Sequence, residues 1–353
     1  NGHTITATIT DNSNRGTAPF CYIDGATIRN LTTAGTISTN QAHSSGLVGF
    51  ADGTNLIEGC TVKATITINC DYAGGFVGHG RSSATTIRNG VFAGRFDGIN
   101  YYTGAWYSNP GTIGGFWGWS DNATPILENC IEVGTFDNIG VSHPMGLKGG
   151  TITNCYYLTP PYGSSATWTP TPNSEYGRIY TGHSATEICK SITVNNTTVY
   201  SEASTVSMEE TYDYTGNPIN VVPSITNPFG TLLTAGTDYS VTFSPHSTVQ
   251  ETGVYTMTIS GVGSYVGTKT IQFKVVGPDD NKVVTSSTTE LTTGAYDVAY
   301  DVTIGSRIAI TGDVTLNLCG GATLNAPKGI ELTSDNSLTI NGPGALTIND
   351  CDQ

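Results

Sequence analysis

Six tyrosines and tryptophans crowd one stretch of this chain: Tyr101, Tyr102, Trp106 and Tyr107, then Trp117 and Trp119. Flat rings with a polar tip can stack on sugar faces or on a partner's backbone. Within an extended strand, Trp117 and Trp119 share a face by the period-two rule, and no earlier copy of that strand has a Trp pair. Large rings also prefer burial, so a second reading folds the loop back and closes the six into a lateral mini-core. Both readings stay open at this level.

Other chemistries leave fewer traces. None of the six histidines, at 3, 43, 79, 143, 183 and 246, begins a His-Glu-x-x-His helix. Gly-x-Ser-x-Gly elbows, phosphate-binding loops and Cys-x-x-Cys pairs are absent from the sequence. No metal and no cofactor are therefore expected. Phe50, His79 and Trp119 each follow a Gly-x-x-Gly tetrad by one or two positions and form an approximate column, which reads as a solvent-facing stack. Asp52, Asp71, Asp97, Asp121 and Asp137 fall near loops and read as solvated turn residues. A polysaccharide lyase or glycosidase would need two or more carboxylates, or an Asp and a basic cluster, on one face.

The elements that position these residues repeat. A corner phrase occurs as Ile28-Arg29-Asn30, Ile57-Glu58-Gly59, Ile87-Arg88-Asn89, Leu127-Glu128-Asn129 and Ile152-Thr153-Asn154, at spacings of 29, 30, 40 and 25 residues. Its third position admits only Asn and Gly, which share tolerance of the left-handed backbone, so every copy is expected to bend there. A second phrase keeps step: Gly46-Leu47-Val48-Gly49, Gly75-Phe76-Val77-Gly78 and Gly115-Phe116-Trp117-Gly118. Units of this length, rich in Thr, Ile and Val and without helical periodicity, fit the turns of a β-solenoid whose coils stack about 4.8 Å apart. The 40-residue coil is the one that holds the extra aromatics, and long loops on a rigid scaffold are where function tends to sit.

Together the Gly-x-x-Gly tetrads and the Ile-x-Asn-Cys-like corners resemble the GLUG repeat of secreted bacterial surface proteins, found also in the stalks of some immunoglobulin-A peptidases. The resemblance covers roughly residues 1–160. It implies a stalk or adhesin-like role and assigns no catalytic residue.

Beyond Pro160 the repeat gives way to a Pro, Ser, Thr and Gly-rich stretch, read as a cap and linker whose Trp168 and Tyr176 cover the solenoid's open end. Short strands are expected around Ile192–Val194 and Thr198–Tyr200. From about residue 206, Val241–Phe243, Val254–Ile259 and Thr270–Val275 alternate faces like strands of a β-sandwich. Tyr214-Thr215-Gly216-Asn217-Pro218, Ala235-Gly236-Thr237-Asp238-Tyr239 and Gly261–Thr268 are similar to an immunoglobulin-like repeat of bacterial surface proteins. The last seventy or so residues hold short apolar strands from Val302 to Ile348 that resemble the opening coils of a second right-handed β-helix. Its open edge invites self-association. The chain opens inside a strand-like phrase, Gly2–Thr6, and reads as a piece of something longer.

Composition narrows the partners. A net charge of −14, with only 14 Lys and Arg, argues against nucleic acid and anionic membranes. No apolar run approaches the roughly eighteen residues of a membrane-spanning helix. Of eight cysteines, Cys60, Cys130 and Cys155 occupy one corner column and are expected to be buried free thiols. The fold expected is all-β: a right-handed parallel β-helix over 1–160, a cap and linker over 161–205, an immunoglobulin-like β-sandwich over 206–278, and a truncated second β-helix over 279–353. The expected function is that of a non-enzymatic, extracellular bacterial adhesin or stalk module, with a glycan or host glycoprotein as partner. A carbohydrate-active β-helix enzyme and a purely mechanical spacer are the alternatives.

Overall fold

In the computed structural model the described residues are 2–70, 72–81, 84–98, 113–137, 139, 142, 143, 145, 146, 150–159, 176–180 and 187–349. Among them there is no helix; the chain is all-β and most of its strand pairs are parallel. It divides into two compact units, Asn1–His183 with Lys190–Glu202, and Ser184–Cys189 with Ala203–Gln353.

The first unit is built from parallel ladders that climb by one repeat per step. The corner ladder joins Thr27–Arg29, Asn55–Glu58, Ala84–Arg88, Thr124–Glu128 and Thr151–Thr153, with Ile28, Ile57, Ile87, Leu127 and Ile152 in register. The last four of these side chains are wholly buried, each worth roughly 1.5–3 kcal/mol relative to exposure. The third corner position is left-handed in every copy: φ is 52° at Asn30, 62° at Gly59, 51° at Asn89, 51° at Asn129 and 49° at Asn154. At each of the first four the amide donates to the next coil, as in Asn89 N–H to Glu128 O at 2.9 Å. Between buried Ile and bent Asn lies an outward column, Arg29, Glu58, Arg88 and Glu128, whose charges alternate. Arg29 meets Glu58 at 2.9 Å, and Arg88 meets Glu58 at 3.7 Å and Glu128 at 2.7 Å.

The tetrad ladder joins Phe20–Asp24, Val48–Asp52, Val77–Gly80 and Trp117–Ser120. Ser44–Ser45, Ala73–Gly74, Ile113–Gly114 and Ser142–His143 form a short ladder just before it in each coil. The tetrad glycines have a steric cause where these two ladders meet. A Cβ on Gly78 would lie 1.9 Å from the backbone oxygen of His43, and one on Gly49 2.1 Å from that of Gly16. A further ladder carries the inward column Ile37, Ile66, Phe96 and Phe136, in which Phe96 and Phe136 stack with centroids 5.4 Å apart. The long coil leaves the register intact: Gly98 before it pairs with Ile68, and Ile113 after it pairs with Ala73. Past the last corner, Tyr176–Tyr180 adds a parallel strand to Cys155–Tyr157, with the Tyr176 and Tyr157 rings 5.4 Å apart. Trp168 lies outside the described residues. The strands expected around 192–194 and 198–200 are Cys189–Val194 and Thr197–Ala203.

Cys60, Cys130 and Cys155 are buried free thiols. Burial, with Cys155 alongside, holds the Cys130 thiol well above its ordinary range.

In the second unit, Tyr239–Ser244, Gly253–Gly261 and Thr268–Val276 form an antiparallel sheet around Tyr255, Met257, Ile259, Phe273 and Val275. Thr211–Asp213 extends it in parallel, and Thr205–Ser207 pairs with Ser224–Thr226. Parallel pairing then resumes with shorter steps. Glu290–Val298 pairs with Ile308–Leu318, which pairs with Ser337–Asn341, while Val302, Leu324 and Leu346 align 22 residues apart. Leu291, Val298, Ile304, Ile308, Leu316 and Leu324 fill this second core.

Candidate functional site

Tyr101, Tyr102, Trp106 and Tyr107 lie outside the described residues. The other two members of the aromatic set part company. Trp117 opens its strand directly after the bend at Gly115–Phe116, and its ring is wholly buried. Its indole N–H donates to Trp119 O at 2.8 Å and to Ser120 Oγ at 2.7 Å, which satisfies the polar tip inside the core. Trp119 is half-buried on the outer side. The two rings of one strand therefore differ in exposure, and of the pair only Trp119 is open to a ligand.

Trp119 instead belongs to a column across four coils. Tyr22, Phe50, His79 and Trp119 are strict register partners, where the sequence suggested only an approximate alignment. The column is also less solvent-facing than expected, for only Tyr22, 51% exposed, is freely open; Phe50 and Trp119 are half-buried and His79 is buried. The cover comes from the neighbouring corner, where His43 and Tyr72 stack at 5.8 Å. His43 lies 4.3 Å from His79 and 5.8 Å from Phe50, and Tyr72 lies 4.5 Å from Trp119.

Two carboxylates tie the column together. Asp52 accepts from Arg81 Nη2 at 2.8 Å and Nε at 3.2 Å, and it also bonds the Tyr22 hydroxyl, which raises that phenol's pKa. The Arg81 guanidinium lies 5.7 Å from the Tyr22 ring centre and 5.1 Å from that of Phe50, within cation–π range. Asp121 accepts the Trp119 indole N–H at 2.8 Å on one oxygen and meets His79 Nε2 at 3.0 Å with the other. Burial pushes against Asp121's charge, but the indole N–H and His79 outweigh it and hold its pKa below the carboxylate norm. Burial lowers the pKa of His79 despite Asp121, and lowers that of His43 to about 3, with His79 adding to the effect. Both imidazoles are thus neutral near pH 7, and each has an Nδ1 with no hydrogen-bond partner.

Two further carboxylates of the first unit hold neighbouring strands. Asp97 and Asp137 are register partners, and Arg95 bridges them at 3.1 and 2.8 Å. A cleft of about 740 Å³ in the second unit is lined in part by Glu210, Ser286, Tyr300 and Asp301. There Glu210 accepts from the Ser286 amide at 3.0 Å and from its hydroxyl, and Asp301 accepts the Thr323 amide at 2.8 Å. Asp71 lies outside the described residues. Among the described residues no group of three or more His, Cys, Asp or Glu could hold a metal ion.

Sequence reasoning missed Tyr22, Arg81, Asp52, Tyr72 and His43 as members of the site. Tyr22 follows Ala18-Pro19-Phe20-Cys21, a first copy of the tetrad without its glycines, so nothing local marked it as a register partner of Phe50. Arg81 could have been found as the residue two past the His column. No protein-family model matches the chain, and neither a curated protein nor a solved structure does.

Proposed function

We propose that this chain is a non-enzymatic module of an extracellular bacterial surface protein, an adhesin or stalk that meets a glycan or glycoprotein. On this reading the first unit is a right-handed β-solenoid of the GLUG type. The antiparallel sheet of the second unit is an immunoglobulin-like spacer, and the 19–24-residue parallel steps after it form a second β-helical segment.

The observation that supports the reading best is the division of labour among polar groups. Arg29, Glu58, Arg88 and Glu128 bond coil to coil, as do Arg95 and Asp137, while the column that runs from Tyr22 to Trp119 presents rings. A hydrolase or lyase needs carboxylates free to exchange protons with a substrate. A binding module needs rings held in place.

The test is a glycan and extracellular-matrix array probed with the intact protein and with Trp119→Ala. Binding by the intact protein that weakens in the variant supports the reading, whereas an array on which the intact protein finds no ligand would sink the adhesin half of it.

A further inference from the structure

We propose that the tetrad ladder carries a single elongated rail for a neutral, linear glycan lying along the stacking direction, with Tyr22 and Trp119 as its two end platforms. The inference rests on the adhesin reading and specifies its ligand and its site.

The direction follows from the register. Tyr22 and Trp119 end one column of four coils, three steps apart, so their backbones stand about 14 Å from each other along the stack. Between them the middle of the column is covered rather than open: Arg81 lies against the Phe50 and Tyr22 rings, and His43 and Tyr72 close over His79 and the flank of Trp119. A ligand that touches both the open Tyr22 ring and the half-buried Trp119 ring must therefore run across the coils. A guanidinium has five N–H donors; Asp52 takes two of them, at Nε and Nη2, and Tyr22 also bonds this one, which leaves Arg81 donors for a ligand's hydroxyls.

Each platform is set before a ligand arrives. Asp52 bonds Tyr22 from the coil below and Arg81 from the coil above. Asp121 bonds His79 from the coil below and Trp119 from its own. Rings held this way lose little freedom on binding, and that is where preorganised sites gain affinity. The chemical class follows from charge. Asp24, Asp52 and Asp121 against Arg81 and Arg15 leave the strip acidic on a chain of net charge −14, which disfavours uronate, sulfated and sialylated sugars. Neutral pyranoses offer apolar faces to the rings and hydroxyls to the carboxylates and Arg81.

The experiment is calorimetric titration of the full chain with soluble neutral β-linked oligosaccharides, cello-, xylo-, manno- and chito-series, from the disaccharide upward, alongside uronate oligomers. Affinity is expected to rise with length until the chain reaches both rings, then level off. Tyr22→Ala and Trp119→Ala should each weaken binding of the longest oligomer about tenfold. Tyr22→Phe keeps the ring but frees it from Asp52, and it should give a smaller loss. Unchanged thermal melting of the variants excludes unfolding as the cause. Loss with Trp119→Ala but none with Tyr22→Ala would overturn the rail and leave a one-ring adhesin. Preference for uronate oligomers would overturn the neutral class. Binding only to a protein on the array would overturn the glycan rail while sparing the adhesin reading, whereas no ligand of any kind would remove both.

Discussion

Asp121 Oδ2 stands 3.0 Å from His79 Nε2, a contact that crosses 42 residues of sequence and one step of the tetrad ladder. The other oxygen of the same carboxylate holds the Trp119 indole, so one side chain orients two neighbouring members of the aromatic column. The packing around it depends on an imidazole that burial keeps neutral although Asp121 favours its charged form.

That dependence predicts acid sensitivity. The folded pKa values of His43, His79 and His143 are lowered by burial, that of His43 to about 3. A depressed histidine contributes stability that is full above its unfolded pKa of about 6.5 and is lost as pH falls, because the unfolded chain takes the proton first. His43→Asn tolerates the left-handed φ of 69° and removes one such group. Its unfolding free energy should fall less steeply than that of the parent between pH 6.5 and 4, by at most about 1.4 kcal/mol per pH unit. Parallel curves in urea denaturation at pH 7, 6, 5 and 4 would contradict this.

Glu132 works in the opposite sense. It is wholly buried, and its two oxygens accept the amides of Gly134 at 2.7 Å and Thr159 at 3.1 Å. Burial outweighs these donors and lifts its pKa from 4.5 to about 8. Its contribution is therefore full below pH 4.5, declines as pH rises and is gone above about 8. Glu132→Gln should remove up to about 1.4 kcal/mol per pH unit of slope in that window. Melting curves of both proteins from pH 5 to 8.5 decide it, and identical slopes would refute the assignment.

Gly78→Ala should be among the most damaging small substitutions in the first unit. The new methyl would lie 1.9 Å from the backbone oxygen of His43, which has no rotamer with which to yield. A loss of about 3 kcal/mol or more is expected. Gly305→Ala, where a Cβ meets open space, should stay within about 1 kcal/mol of the parent. Urea midpoints compare the two directly.

Arg88→Glu places three acidic groups in consecutive rungs of the corner ladder, Glu58, the substituted position and Glu128. Its melting temperature should drop in low salt and recover much of the loss at 0.5 M NaCl, because the charges are exposed and screened. A deficit indifferent to salt would mean that side-chain packing, not charge, is what the column supplies.

How much was readable in advance differs by element. The corner column was fully legible, since Asn30, Gly59, Asn89, Asn129 and Asn154 need a backbone angle that few residues accept. The Arg and Glu alternation stood in the second position of the same phrase and could have been read from it. The aromatic column was legible only in part: His79, Phe50 and Trp119 were visible beside their tetrads, while Tyr22 had no glycines to mark it. Trp117 and Trp119 looked equivalent in sequence, yet one is wholly buried and the other half-buried, because a two-residue alternation counts positions and does not see what packs over each ring.

By itself the sequence determined where each repeat turns, which corner residues stack in register and how far apart the repeats fall along the chain. These follow from φ preferences and side-chain alternation, which act over a few residues and recur with every repeat. Only the tertiary structure decided which ring is open, that Asp52 joins Tyr22 to Arg81 while Asp121 joins His79 to Trp119, and that His43 packs on Phe50 and His79 while Tyr72 packs on Trp119. Those outcomes depend on what lies one coil away, a distance of about 4.8 Å in space but 28 to 42 residues along the chain.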